Sequence, residues 1–217
     1  MLAVGWRRGG YLSDMRSLAV VLSVAATLAV LSVACSGADA PRATGTAGPQ
    51  IPSPALVPRP VSTVAANLPV DFRIDAYRGA DALGGSQVQL STVVARGKPV
   101  ALNFFAGLCP PCRAEMPDLQ AVYDRLGDRF TLIGVDLGPY TGLGTNAEGL
   151  ALVNDLGLTF PTGSTSEARV VGAYRVLGMP STVFLTPDGT VFRKWDGPLS
   201  ADKMQELVEQ LISASAS

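Results

Sequence analysis

Phe104–Cys112 reads FFAGLCPPC, and it places two cysteines two residues apart with only prolines between them. Directly before it, PVALNFFA (Pro99–Ala106) is a nearly continuous apolar run of strand length, the pattern of a strand buried on both faces of a covered sheet. Directly after it, PCRAEMPDLQAVYDRLGD (Pro111–Asp128) has helical spacing, with Met116, Leu119, Val122, Tyr123 and Leu126 on one face and Gly127 as its stop. Cys109 is therefore predicted at the end of a buried strand and Cys112 one turn into the following helix. The first helical N–H groups lack internal partners and the helix dipole is positive there, so a sulfur at this point is stabilised as a thiolate. The thiolate is the attacking species in disulfide exchange, and Cys112 is spaced to resolve a mixed disulfide formed at Cys109.

Composition narrows the chemistry. The 217 residues contain no histidine, which removes Ser-His and Cys-His catalysis and histidine metal or haem ligation. A zinc site needs four ligands, and two cysteines without histidine fall two short. The peroxidatic pattern Pro-x-x-x-Thr/Ser-x-x-Cys has Leu102 and Ala106 at its first two fixed positions here. A purely structural disulfide is the remaining alternative, but closing so short a loop removes little unfolded-state entropy. A redox pair without metal or organic cofactor is the reading that stands. With 17 Lys and Arg against 18 Asp and Glu, the net charge of −1 gives no basis for a nucleic-acid surface.

Outward from the pair, DFRIDAY (Asp71–Tyr77) and QVQL (Gln87–Leu90) are predicted as paired strands around a Gly84–Gly85 turn, and Ser91 as the cap of a short helix, TVVAR. FTLIGVDL (Phe130–Leu137) is a second buried strand. NAEGLALVNDLG (Asn146–Gly157) and EARVVGAYRVLG (Glu167–Gly178) are helices, and STVFLTPDGTVFRKW (Ser181–Trp195) is a hairpin. SADKMQELVEQLIS (Ser200–Ser213) is a terminal amphipathic helix capped by Ser200. Strands and helices in this alternation give an α/β sandwich with a mixed central sheet.

The N-terminus is read as a targeting signal. Arg7, Arg8 and Arg16 precede the uncharged run Leu18–Ala34, too short for a bilayer span and close to a signal core. LSVAC (Leu31–Cys35) then resembles a bacterial lipoprotein signal, in which Cys35 becomes the lipidated N-terminus. The expected organisation is a signal peptide over 1–34, a Pro/Gly-rich tether over 35–69 and a folded domain over 70–217, held outside the cytoplasm.

From Val70 to Ile212 the sequence resembles the thioredoxin-like, membrane-tethered thiol-disulfide oxidoreductases of the TlpA/ResA/DsbE type. GKPVALNFFAGLCPPCRAEMPDL and VLGMPSTVFLTPDGTV, about 70 residues apart, carry the likeness. The resemblance implies a thioredoxin fold, a three-layer α/β/α sandwich with an N-terminal β-hairpin extension. It implies a cis Pro180 beside Cys109 and Cys112, a Met179 backbone that pairs with substrate strands, and an acidic Glu115 near the site. Glu115 is either a proton exchanger for Cys112 or a solvated first-turn carboxylate; Asn103 takes a structural role, and Pro117 a packing one. Leu108 stands where the family usually has tryptophan, on the docking surface. The implied partners are proteins bearing disulfides or thiols, a membrane dithiol electron donor, and the membrane itself through lipid. Apocytochrome c maturation is a frequent task in that family. Pro110 and Pro111 offer no N–H to Cys109, leaving the Cys112 and Arg113 amides, so the expected direction is reduction of protein disulfides. A net oxidant and a binding module without catalysis are the alternatives.

Overall fold

The computed structural model describes Thr63–Ala216; the segment read as a targeting signal, Cys35, and residues 36–62 of the stretch read as a tether lie outside the described residues. Seven strands form one sheet in the order β2-β1-β5-β4-β3-β6-β7. The centre is parallel: β3 (Val100–Phe105) runs alongside β4 (Thr131–Asp136), and β4 alongside β5 (Thr162–Ser164). Its flanks are antiparallel, with β1 (Arg73–Arg78) on β5 and β2 (Gln87–Gln89) on β1 at one end. At the other, β6 (Ser181–Leu185) lies on β3 and β7 (Val191–Asp196) on β6.

Alternation along β3 builds the three layers. Val100, Leu102 and Phe104 enter one hydrophobic cluster, while Ala101 and Phe105 enter the other, and all are fully buried. The first cluster is covered by α3 (Leu90–Val94) and α7 (Arg169–Ala173). The second is covered by α4 (Pro110–Leu126), α6 (Asn146–Asp155) and α8 (Ala201–Ser215). A fully buried Phe or Leu side chain is worth roughly 1.5–3 kcal/mol relative to exposure. This double coating is what stabilises a strand with no polar face.

The predicted order of elements is recovered, with local differences that have physical causes. The β1–β2 link is a short helix, α2 (Ala80–Leu83), flanked by Gly79 and Gly84 in the left-handed region, instead of a tight Gly84–Gly85 turn. Ser91 lies inside α3: its N–H and hydroxyl both donate to the Asp71 carboxylate, at 2.9 and 2.7 Å, so it tethers the helix to the chain entering β1. The helix expected over 167–178 is only five residues long, because Arg175 at φ 52° turns the chain out of it. Two further short helices are present, α1 (Thr63–Asn67), within the segment read as tether, and α5 (Gly138–Thr141). Ser200 and Thr145 cap α8 and α6, and Thr145 forms a reciprocal capping box with Glu148.

Candidate active site

The parallel strands β3 and β4 end side by side at Phe105 and Asp136, and the chain leaves β3 through Ala106–Leu108 into α4. Cys109 is the N-cap of α4, in an extended conformation, and Cys112 sits in its first turn. The two sulfurs are bonded, with an S–S length of 2.12 Å and Cα atoms 5.3 Å apart. The Cys112 N–H donates to Cys109 Sγ at 3.2 Å, the cap bond that a hydroxyl or carboxylate makes at other helix starts. Arg113 N–H, the second amide expected to reach the sulfur, donates instead to the Cys109 carbonyl at 3.1 Å. One backbone donor therefore supports Cys109 Sγ, since Pro110 and Pro111 have none. Cys112 is fully buried and Cys109 keeps 2% exposure, so what access there is leads to Cys109.

Glu115 is not a solvated carboxylate. It is 2% exposed, three residues after Cys112 on α4, and is held between α4, β3 and the residue that leads into α8. Asn103 Nδ2 donates to one of its oxygens at 2.8 Å and the Leu199 N–H to the other at 2.9 Å. Burial raises its pKa from 4.5 to about 7, against the pull of those two donors, which favour the charged form. A carboxyl that titrates near neutrality can both take and give a proton. Asn103 also donates to Thr182 Oγ1 at 3.0 Å, which joins β3, β6 and α4 behind the disulfide.

The Met179–Pro180 bond is cis, as the resemblance implied, at the entry to β6 next to β3. Met179 packs against both hydrophobic clusters, including the one that holds the cysteines. On the other side of the site Leu108 is 57% exposed, and its N–H donates to the Leu143 carbonyl at 2.8 Å. Beside Met179 lies a cleft of 380 Å³ lined by Thr141, Leu143, Val176, Leu177, Gly178 and Met179. Leu177 is 90% exposed, the most exposed large apolar side chain among the described residues. Of the two residues that the resemblance assigned to substrate docking, Met179 lines this cleft and Leu108 reaches it only through the Leu143 carbonyl; Leu143 and Leu177 lie in loops that carry no periodic signal.

Sequence reasoning missed Asp136. This carboxylate is fully buried at the end of β4, where it accepts the Tyr77 hydroxyl at 2.9 Å and the Gly138 N–H at 2.8 Å. The signal was available: one acid ends an otherwise apolar strand, LIGVD.

Residues 69–194 match the AhpC/TSA family over more than half of the chain. The chain belongs to that family. The chain is 32% identical over 165 residues to the thiol-disulfide oxidoreductase ResA of Oceanobacillus iheyensis, covering 69% of this chain and 80% of ResA. Of solved structures, the pneumococcal exposed lipoprotein thioredoxin of Streptococcus pneumoniae superposes with a TM-score of 0.56 at 22% identity, over 65% of this chain and 100% of that one. StoA of Bacillus subtilis gives 0.52 at 23%, over 64% and 97%. At those identities the structural likeness is one of thioredoxin fold. This AhpC/TSA member carries the bonded Cys109–Cys112 pair and is a thiol-disulfide oxidoreductase. Ala106, three residues before Cys109, offers no hydroxyl for peroxidatic chemistry.

Proposed function

We propose that this thiol-disulfide oxidoreductase works outside the cytoplasm as a net reductant of protein disulfides. The reduced Cys109 attacks a substrate disulfide: its sulfur bonds to one substrate sulfur, and the other leaves as a thiolate. Cys112 then attacks Cys109 Sγ. The second substrate thiolate leaves, and the Cys109–Cys112 bond of the described state forms. The substrate has gained two electrons and the pair has lost two. Glu115 takes the Cys112 proton as that thiol becomes a nucleophile; its burial three residues along the same helix and its raised pKa support this role. Pro180 shapes the groove, while Leu108 and the Met179 backbone receive an extended substrate segment. No metal or organic cofactor takes part.

The observation that carries the direction is the lone amide on Cys109. A thiolate with one N–H donor, and a buried carboxyl nearby that becomes negative as pH rises, is less stabilised than one cradled by several donors. A less stabilised dithiol is the stronger reductant. Location rests on the N-terminal sequence: a signal over 1–34, lipid on Cys35, and a tether that runs from Cys35 to α1, where Leu68 already packs into the domain core. An exported protein has no cytosolic reductant, so a membrane dithiol donor returns the two electrons.

The test is a trap. In Cys112→Ala the first attack proceeds and the second does not, so a mixed disulfide through Cys109 accumulates with protein substrates. Partner binding without any adduct, in chains where Cys109 is free, overturns the catalytic reading in favour of a binding module.

A further inference from the structure

Glu115 is one of two buried carboxyls at this end of the sheet, and the mechanism above does not use the other. Asp136 shares the face of the sheet that carries Phe105, Ala106 and Cys109. Its strand partner is Phe105, four residues before Cys109. Its Oδ1 accepts the Gly138 N–H and its Oδ2 the Tyr77 hydroxyl.

The first turn of α6 rests directly on this group. A Cβ on Gly149 would collide with Asp136 Oδ2, and a Cβ on Gly107 would collide with the Glu148–Gly149 peptide of the same turn. Carboxylate, helix turn and Gly107 are thus stacked without space between them, and Leu108 and Cys109 follow Gly107. The same loop holds Leu108 by the Leu143 carbonyl. Cys109 N–H donates back to the Ala106 carbonyl at 3.2 Å, closing a turn over Ala106–Cys109.

We propose that Asp136 is a positioning residue of the redox centre. It fixes the Gly107–Cys109 turn through the segment 138–149, which runs from α5 into the first turn of α6, and it faces that turn with a buried negative charge that makes the Cys109 thiol less acidic. Adjacent strands lie about 4.8 Å apart, which puts the carboxylate on the order of 10 Å from Cys109. Unit charges at that range inside a protein still change acidity by up to about tenfold. The charged groups around Asp136 are few. Tyr77 donates from β1, and its own ionisation is pushed up by burial and by Asp136; Glu148 on α6 opposes the charge; Asp75 acts on Tyr77. Burial raises the Asp136 pKa, and the Gly138 and Tyr77 donors work against that rise.

The inference rests on the exchange activity proposed above. The measurement is the equilibrium with glutathione, in which two glutathione thiols give two electrons and two protons to the disulfide, yielding both cysteine thiols and one glutathione disulfide. Alkylation against pH on the reduced protein gives the Cys109 pKa. In Asp136→Asn, which keeps shape and the Gly138 acceptor but loses the charge, Cys109 becomes about three- to tenfold more acidic, and at pH above the Cys109 pKa the equilibrium shifts towards the dithiol by a similar factor. Should that variant not fold, Tyr77→Phe carries the test: loss of the donor moves the Asp136 inflection in the pH profile of the equilibrium to higher pH. Acidity and equilibrium constant within twofold of the unsubstituted chain in Asp136→Asn, or a superposable profile in Tyr77→Phe, overturns the proposal. An unsubstituted chain that exchanges no disulfide sinks the functional reading instead.

Discussion

At the scale of one residue, Glu115 shows how a site borrows from stability. The carboxyl is held among Asn103, Leu199 and the cysteine cluster, where burial favours its neutral form. A pKa raised from 4.5 to about 7 means the folded protein binds the proton more tightly than the unfolded chain. The resulting stabilisation is complete below about pH 4.5 and is lost as pH rises through 7, with a span on the order of 3 kcal/mol. The oxidised protein should therefore lose stability between pH 5 and pH 8, in the direction opposite to a salt-bridged acid. Glu115→Gln should flatten that slope and be the more stable protein at pH 8. Denaturant titrations across the range measure both. Equal slopes in the two proteins would show that the carboxyl is not protonated by folding. The same substitution removes the proton acceptor for Cys112, so it should also slow resolution of the mixed disulfide.

At the scale of elements, most of the architecture was legible because strand burial is written in composition. The runs over 99–106 and 130–137 have no polar face, and that implied a sheet covered on both sides; β3 and β4 are the central parallel pair. Helix starts were legible where a cap side chain exists, as at Ser200, and illegible where a serine near a helix start bonds elsewhere, as Ser91 does with Asp71. The site was half legible. Cysteine spacing declared itself, and the resemblance supplied Pro180. The cleft around Leu177 and the stack on Asp136 arise from loops brought together by tertiary packing, which no local period encodes. The glycines of that stack give a contrast. Gly149→Ala gains about 1 kcal/mol of helix propensity, but its methyl meets a buried carboxylate with nowhere to go. The net effect should be a loss of about 1–3 kcal/mol. Gly172→Ala, in α7 with no atom within 4 Å of the new methyl, should gain up to about 1 kcal/mol. Thermal melts of the two variants check opposite signs for one chemical change.

At the scale of the whole molecule, redox direction and folding stability are one quantity seen from two sides. The dithiol and disulfide forms of the folded chain, and the same two forms unfolded, close a thermodynamic cycle. If folding favours the disulfide over the dithiol, the pair is more reducing than it is in the unfolded chain, and the oxidised protein is the more stable. A strong oxidant has the reverse order, because its reduced form is the stabilised one. The features at the head of α4 point one way: a single amide on Cys109, two prolines without donors, and buried Glu115 and Asp136, each of which opposes a neighbouring thiolate when ionised. The oxidised protein should therefore resist urea better than the reduced protein, by about 1–3 kcal/mol, a midpoint shift on the order of 1 M. Both titrations are run at pH 7 on the folded domain, one of them under excess dithiol. A reduced form that outlasts the oxidised one would make the molecule a donor of disulfides and reverse the flow of electrons through Cys109.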